Sequence, residues 1–116
     1  MNSKKGREIH AKAEQAREAE QNFIKSIKLV DEAIIAYQKD KDYRGLSEVL
    51  QSRSSAFKHL YQKTGDEVYL TLAKHDSLAG IEIAESLKDT SALAMVYRGL
   101  GKIYEGSSCL CQVQVR

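Results

Sequence analysis

An all-α fold, built from stacked antiparallel helical hairpins, is what this sequence predicts, and three observations predict it. Proline is absent, while Ala, Leu, Ile, Glu, Lys and Gln dominate. All of these but Ile are good helix formers, because they lose little rotamer freedom in a helix. Apolar residues recur at three- and four-residue spacing along most of the chain, which is the helical period. Finally, two stretches match each other at an offset of 47 residues, with Asp42 falling on Asp89. A length of 116 residues suits one domain that buries a modest core without disulfides or metals. With 42% hydrophobic and 29% charged residues, the chain is expected to fold under a heavily solvated surface rather than stay disordered.

The elements follow in order. From Ile9 through Ala13, Ala16, Phe23, Ile27, Val30, Ile34 and Tyr37 the apolar spacing predicts one long first helix, ending near Lys39 to Asp42 where a charge cluster breaks the pattern. Asp42 is placed to cap the next helix by accepting its first free backbone N–H groups. That second helix runs from about Tyr43 to Lys63 and buries Leu46, Val49, Leu50, Ala56, Phe57, Leu60 and Tyr61. Thr64-Gly65-Asp66-Glu67 supplies a stop and a start together, with Gly65 as left-handed C-terminal cap and Thr64 or Asp66 as N-cap. So short a turn makes its flanking helices antiparallel neighbours.

A third helix is expected from about Glu67 to Leu87, with Leu72, Ala73, Ala79, Gly80, Ile83, Ala84 and Leu87 on or beside its inward face. The small residues Ala73, Ala79 and Gly80 let another helix backbone approach closely. Asp89 then caps a fourth helix from about Ser91 to Glu105. The resulting division is a flexible basic terminus over 1–8, a helical domain over 9–105 and a flexible cysteine-containing tail over 106–116.

Charge and hydropathy exclude several classes. The net charge is +2 with signs interspersed, so nothing in the overall balance calls for nucleic acid or an anionic membrane as partner. Lys4, Lys5, Arg7 and Lys12 make the first dozen residues basic, a composition that also fits a phosphate-binding arm, and the expectation there is a solvated, frayed terminus. No run approaches the roughly 20 apolar residues that span a bilayer, and the start is unlike a signal-peptide core, so the expected compartment is the cytoplasm.

The internal match extends beyond one aspartate. Leu46 falls on Leu93, Val49 on Val96, Leu50 on Tyr97 and Phe57 on Tyr104, while Phe23 falls on Leu70, Ser26 on Ala73, Ala33 on Gly80 and Ile34 on Ile81. A period in this range is the mark of a helical solenoid whose units bury their apolar faces on one another. Within it, Tyr97, Leu100, Gly101 and Tyr104 resemble the first helix of a tetratricopeptide repeat, in which a large aromatic is followed by Leu-Gly and then Tyr. Ser26 with Ala33, and Ala73 with Gly80, resemble the small-residue positions of that family's second helix, so the resemblance covers about residues 23 to 105. The chain departs from the family pattern at Arg53 and Ser54, which stand where Leu-Gly would sit, in its longer period and in lacking the closing proline. The resemblance implies a short right-handed solenoid of about four helices that binds a peptide or helix of a partner protein in a concave groove. By the 47-residue match, Gln51, Ser55 and Lys58 in one unit and Arg98 and Lys102 in the next face that groove. Arg98 and Lys102 are four apart and so share a helix face suited to a carboxylate.

Signals for other chemistry are weak, and neither an enzyme nor a cofactor is expected. Cys109 and Cys111 are half of a tetrahedral zinc site at most, with His10, His59 and His75 scattered far from them, so exposed reduced thiols are expected. Gly99-Leu100-Gly101-Lys102 lacks the glycine and hydroxyl residue of a phosphate loop, having Val96 and Ile103 instead, and lies inside a helical pattern. His75, Asp76 and Ser77 hold the residue types of a hydrolase triad, but successive helical residues point about 100° apart, and a solvated helix edge is expected. The alternative function is structural. Ala13, Ile27 and Ile34, with Ile9, Ala16, Phe23, Val30 and Tyr37, form a heptad seam along the long first helix through which two chains would pair as a coiled-coil-like homodimer.

Overall fold

The computed structural model describes residues 2–87, 97–101 and 103. Short polar side chains start its helices. Ser3 Oγ accepts from the Gly6 N–H at 3.0 Å, Asn22 Oδ1 from Lys25 at 3.1 Å and Asp42 Oδ1 from Gly45 at 2.9 Å. Each bond satisfies a donor that the first turn of a helix leaves unpaired. These caps open α1 (Lys4–Glu18), α2 (Phe23–Lys39) and α3 (Tyr43–Thr64). Asp66 accepts from Val68 at 3.0 Å at the start of α4 (Glu67–Leu87). Residues 97–101 and 103 are helical again, inside the expected fourth helix. The Asp89 cap, the rest of that helix and the 106–116 tail lie outside the described residues. All regular structure among the described residues is helical.

Asp42 caps α3 as expected, and Gly65 takes the left-handed conformation (φ 74°) with its N–H on Tyr61 O at 2.7 Å. The single long first helix is corrected to two. After Glu18 the chain turns: Gln21 adopts a left-handed φ of 55°, Asn22 N–H bonds Ala16 O at 2.8 Å, and Asn22 caps the next helix. Ser3 likewise moves the first helical residue to Lys4, ahead of the expected Ile9.

Consecutive helices pack antiparallel, and serines tie them. Ser26 Oγ, early in α2, donates to Ala13 O late in α1 at 2.9 Å. Ser54 of α3 donates to Ala73 O of α4 at 2.7 Å, and Ser47 to Gly80 O at 3.2 Å. Small residues at these crossings allow side chain to meet backbone directly. At the centre Tyr37 of α2 is fully buried, with Gly6 of α1 and Gly45 of α3 against its ring. The core around it joins Ala13, Val30, Ala33, Leu46, Val49 and Leu50. Of the pairs matched at 47 residues, Phe23 with Leu70, Ser26 with Ala73 and Ala33 with Gly80 share burial, whereas Leu50 is buried and Tyr97 is 49% exposed.

Two further expectations are corrected. Leu72 and Leu87 are each 39% exposed, and the buried face of α4 is Leu70, Ala73, Asp76, Ser77, Gly80, Ile81 and Ala84. That face includes two polar residues, so a purely apolar reading rotates it. For the same reason only His75 of the expected solvated edge is exposed, while Asp76 and Ser77 are buried on Arg53 and Ser54. The heptad seam is also used within the chain, where Ala13, Ala16, Phe23, Val30 and Tyr37 are buried among neighbouring helices.

Candidate functional site

The face shared by α1, α3 and residues 97–101 carries two adjoining cavities. One, of about 330 Å³, is lined by His10, Glu14 and Arg17 of α1 and by Glu48, Gln51, Ser52 and Ser55 of α3. The other, of about 160 Å³, is lined by Gln51, Ser54, Ser55 and Lys58 together with Arg98, Gly99 and Ile103. Gln51 and Ser55 belong to both, so the two form one groove across three helices.

Gln51, Ser55, Lys58 and Arg98, read from the sequence as groove residues, therefore line one cavity. Lys102 lies outside the described residues. Sequence reasoning missed His10, Glu14 and Arg17, because a continuous first helix leaves no separate α1 to form that wall, and without the wall nothing drew Glu48 and Ser52 of α3 into the groove. A signal was present. Ser3 and Gly6 stand 39 residues before Asp42 and Gly45, the same cap and the same close approach to Tyr37.

Gln51 sits where the cavities meet. Its Oε1 is buried without a hydrogen-bond partner among the described residues, a state that costs free energy until a donor arrives. Segment 97–101 reaches this wall through Gly99, where an added Cβ would fall 1.6 Å from Gln51 Nε2. The glycine that fails as a phosphate loop thus works as a packing contact.

The α1 wall is a polar network. His10 Nε2 lies 2.7 Å from Ser52 Oγ and 3.2 Å from Glu14 Oε2, and its Nδ1 lies 3.1 Å from the Tyr37 hydroxyl. Ser52 and Arg17 also donate to Glu14. Burial raises the Glu14 carboxyl, but hydrogen bonds from His10 and Ser52 and the Arg17 charge outweigh it and hold the group at about 2. Burial pushes the Tyr37 hydroxyl up to about 12, against the opposing pull of Arg7. Ser52 and His10 have the spacing of a nucleophile and base, yet Glu14 engages both, and the surrounding backbone N–H groups belong to helix interiors.

Among the described residues no group of three or more His, Cys, Asp or Glu is placed to hold a metal, and no helix is long and apolar enough to cross a membrane. Cys109 and Cys111 lie outside them. The fold and the two cavities define a class, an all-α stack of antiparallel helices with a polar, cavity-bearing face. Comparison with protein-family models, curated proteins and solved structures finds no match to this chain.

Proposed function

We propose that this chain is a non-enzymatic protein-interaction module, a tetratricopeptide-like cytoplasmic scaffold that holds a peptide or helix of a partner protein in the groove of α1, α3 and residues 97–101. The observation that supports it most is the pair of cavities joined at Gln51, whose unpaired buried acceptor asks for a donor such as a peptide N–H. Around it Lys58 and Arg98 line one cavity, while in the other the carboxylates are already paired, Glu14 with Arg17 and Glu48 with Arg7 and Arg44. A partner segment with an acidic side chain beside an exposed amide complements the Lys58 and Arg98 cavity.

The test is fluorescence anisotropy of the full chain with a set of labelled peptides in which one acidic residue is moved along a neutral background. Saturable binding is expected for a subset. Arg98→Glu should weaken it about tenfold, equivalent to about 1.4 kcal/mol, with the melting temperature unchanged. Affinity unaltered by Arg98→Glu, or no saturable binding across the set, overturns the reading.

A further inference from the structure

A second surface lies where α1 begins and α2 turns into α3. There Lys4 and Lys5 of one segment and Lys39 and Lys41 of another, joined by Asn2 and Asp40, line a cavity of about 510 Å³. We propose that this cup binds a multiply phosphorylated anion. Four lysines against one aspartate leave it with +3, more than the +2 of the whole chain. None of the four makes an ion pair among the described residues.

The backbone that carries the lysines is held in place rather than left as a loose end, while their side chains are exposed. Ser3 is fully buried: its N–H donates to Asp42 Oδ2 at 2.9 Å and its hydroxyl to Asp40 Oδ2 at 2.6 Å. These bonds pin the first residues to the α2–α3 turn and engage the one carboxylate in the cup. Lys41 is kept at a left-handed φ of 56° by the turn, with Asp42 N–H on Tyr37 O at 2.9 Å. The first turn of α1 contains no acidic residue, so Lys4 and Lys5 add their charge to the positive end of the helix dipole. Mutual repulsion on a fixed frame is relieved by a bound anion.

The lining selects the kind of anion. Ammonium groups act as point charges without the planar fork that matches a single carboxylate, and no aromatic residue in the cup offers a face for stacking a nucleic-acid base. Several phosphoryl groups on one small framework put the most negative charge into this volume. Such a group arrives either as a soluble polyphosphate or as the headgroup of a lipid.

Isothermal titration of the full chain with tripolyphosphate and with inositol hexakisphosphate, at about 0.15 M salt where distant surface charges are screened, tests the site. One-to-one saturable binding is expected, weakened at least about tenfold by Lys5→Glu and separately by Lys41→Glu. Arg98→Glu should leave it unchanged, which separates this site from the groove. No saturable binding, or affinity unmoved by both lysine variants, overturns the proposal. Cosedimentation with phosphatidylcholine vesicles containing phosphatidylinositol bisphosphate, lost in Lys5→Glu, assigns the phosphates to a lipid. Soluble binding without cosedimentation assigns them to a free anion.

Discussion

Arg53 of α3 grips Asp76 of α4 through two parallel hydrogen bonds, Nε to Oδ2 at 2.8 Å and Nη2 to Oδ1 at 2.9 Å. Its Nη1 reaches Asp31 of α2 at 2.8 Å, so one guanidinium ties three helices. The Asp76 hydrogen bonds are the largest influence on Arg53 and raise its affinity for the proton despite burial. Asp76 is nearly buried, whereas Asp31 is 56% exposed. Asp76→Ala strands the arginine and should destabilise the fold by about 2 kcal/mol, below the roughly 3–5 kcal/mol of a fully buried pair because Arg53 keeps some solvent contact. Asp31→Ala should cost under about 1 kcal/mol. Urea denaturation of both variants checks the order, and equal losses would show that the α3–α4 bonds are not the dominant ones.

Gly45 and Gly6 flank the buried Tyr37 ring. A Cβ added at Gly45 would meet Tyr37 Cε1 at 2.2 Å, and one at Gly6 would meet Cδ1 at 2.7 Å. In an exposed helix interior Gly→Ala stabilises by about 1 kcal/mol. Here the ring has no room to retreat, so Gly45→Ala should destabilise by about 1–3 kcal/mol and Gly6→Ala by less. Equilibrium unfolding of the two single variants is the measurement, and stabilisation by Gly45→Ala would contradict the packing.

Gly99 is a contrasting case, because what its Cβ would meet is the end of a flexible glutamine. Gly99→Ala should change stability by less than about 1 kcal/mol while displacing the Gln51 amide into the groove. Peptide affinity measured by anisotropy should therefore fall although the melting temperature does not. A parallel loss of both would mean that segment 97–101 depends on this contact for its own folding.

Much of this architecture was legible in the residues. Asp42 and Gly65 carry local capping chemistry that works wherever it occurs, and the bounds of α3 and α4 followed from them. The α1–α2 break was not legible, because its left-handed residue is Gln21 rather than glycine and only Asn22 marks the restart. Tertiary packing makes that turn tolerable, at a backbone cost of roughly 1–2 kcal/mol. The face of α4 was misread for a related reason: Asp76 and Ser77 are buried because Arg53 and Ser54 satisfy them, and those partners are 23 residues away in sequence. Of the five residues read from the internal repeat, Gln51, Ser55, Lys58 and Arg98 line one cavity and Lys102 lies outside the described residues, while the α1 wall was hidden by the missing break.

Acid should weaken the fold in two steps. His59 stacks on Phe23 at 5.0 Å between ring centroids, and burial, with the Lys58 and Arg17 charges, lowers its pKa from the ordinary 6.5. The unfolded chain then binds the proton more readily, so this contribution is present above about 6.5 and is lost as pH falls below it. Glu14, held at about 2 against an ordinary 4.5, contributes stability above the unfolded value that is lost as pH falls from there toward 2. His59→Gln should flatten the first step and Glu14→Gln the second in a series of denaturation midpoints against pH. Profiles that keep their shape in both variants would assign the acid sensitivity to other groups.

Removing α1 separates the two functional readings. A chain starting at Gln21 loses Ala13 and Ala16, both fully buried, and uncovers the side of Tyr37 that packs on Gly6. With a seam buried inside one chain, the full-length protein should have the 13.0 kDa mass of a monomer by light scattering across a concentration series. The shortened version should melt at lower temperature and associate through the uncovered apolar surface, since such surface seeks other contacts. A full-length dimer that becomes a stable monomer on truncation would instead make α1 an intermolecular interface and self-assembly the function, because only an interface between chains can be lost without loss of the fold.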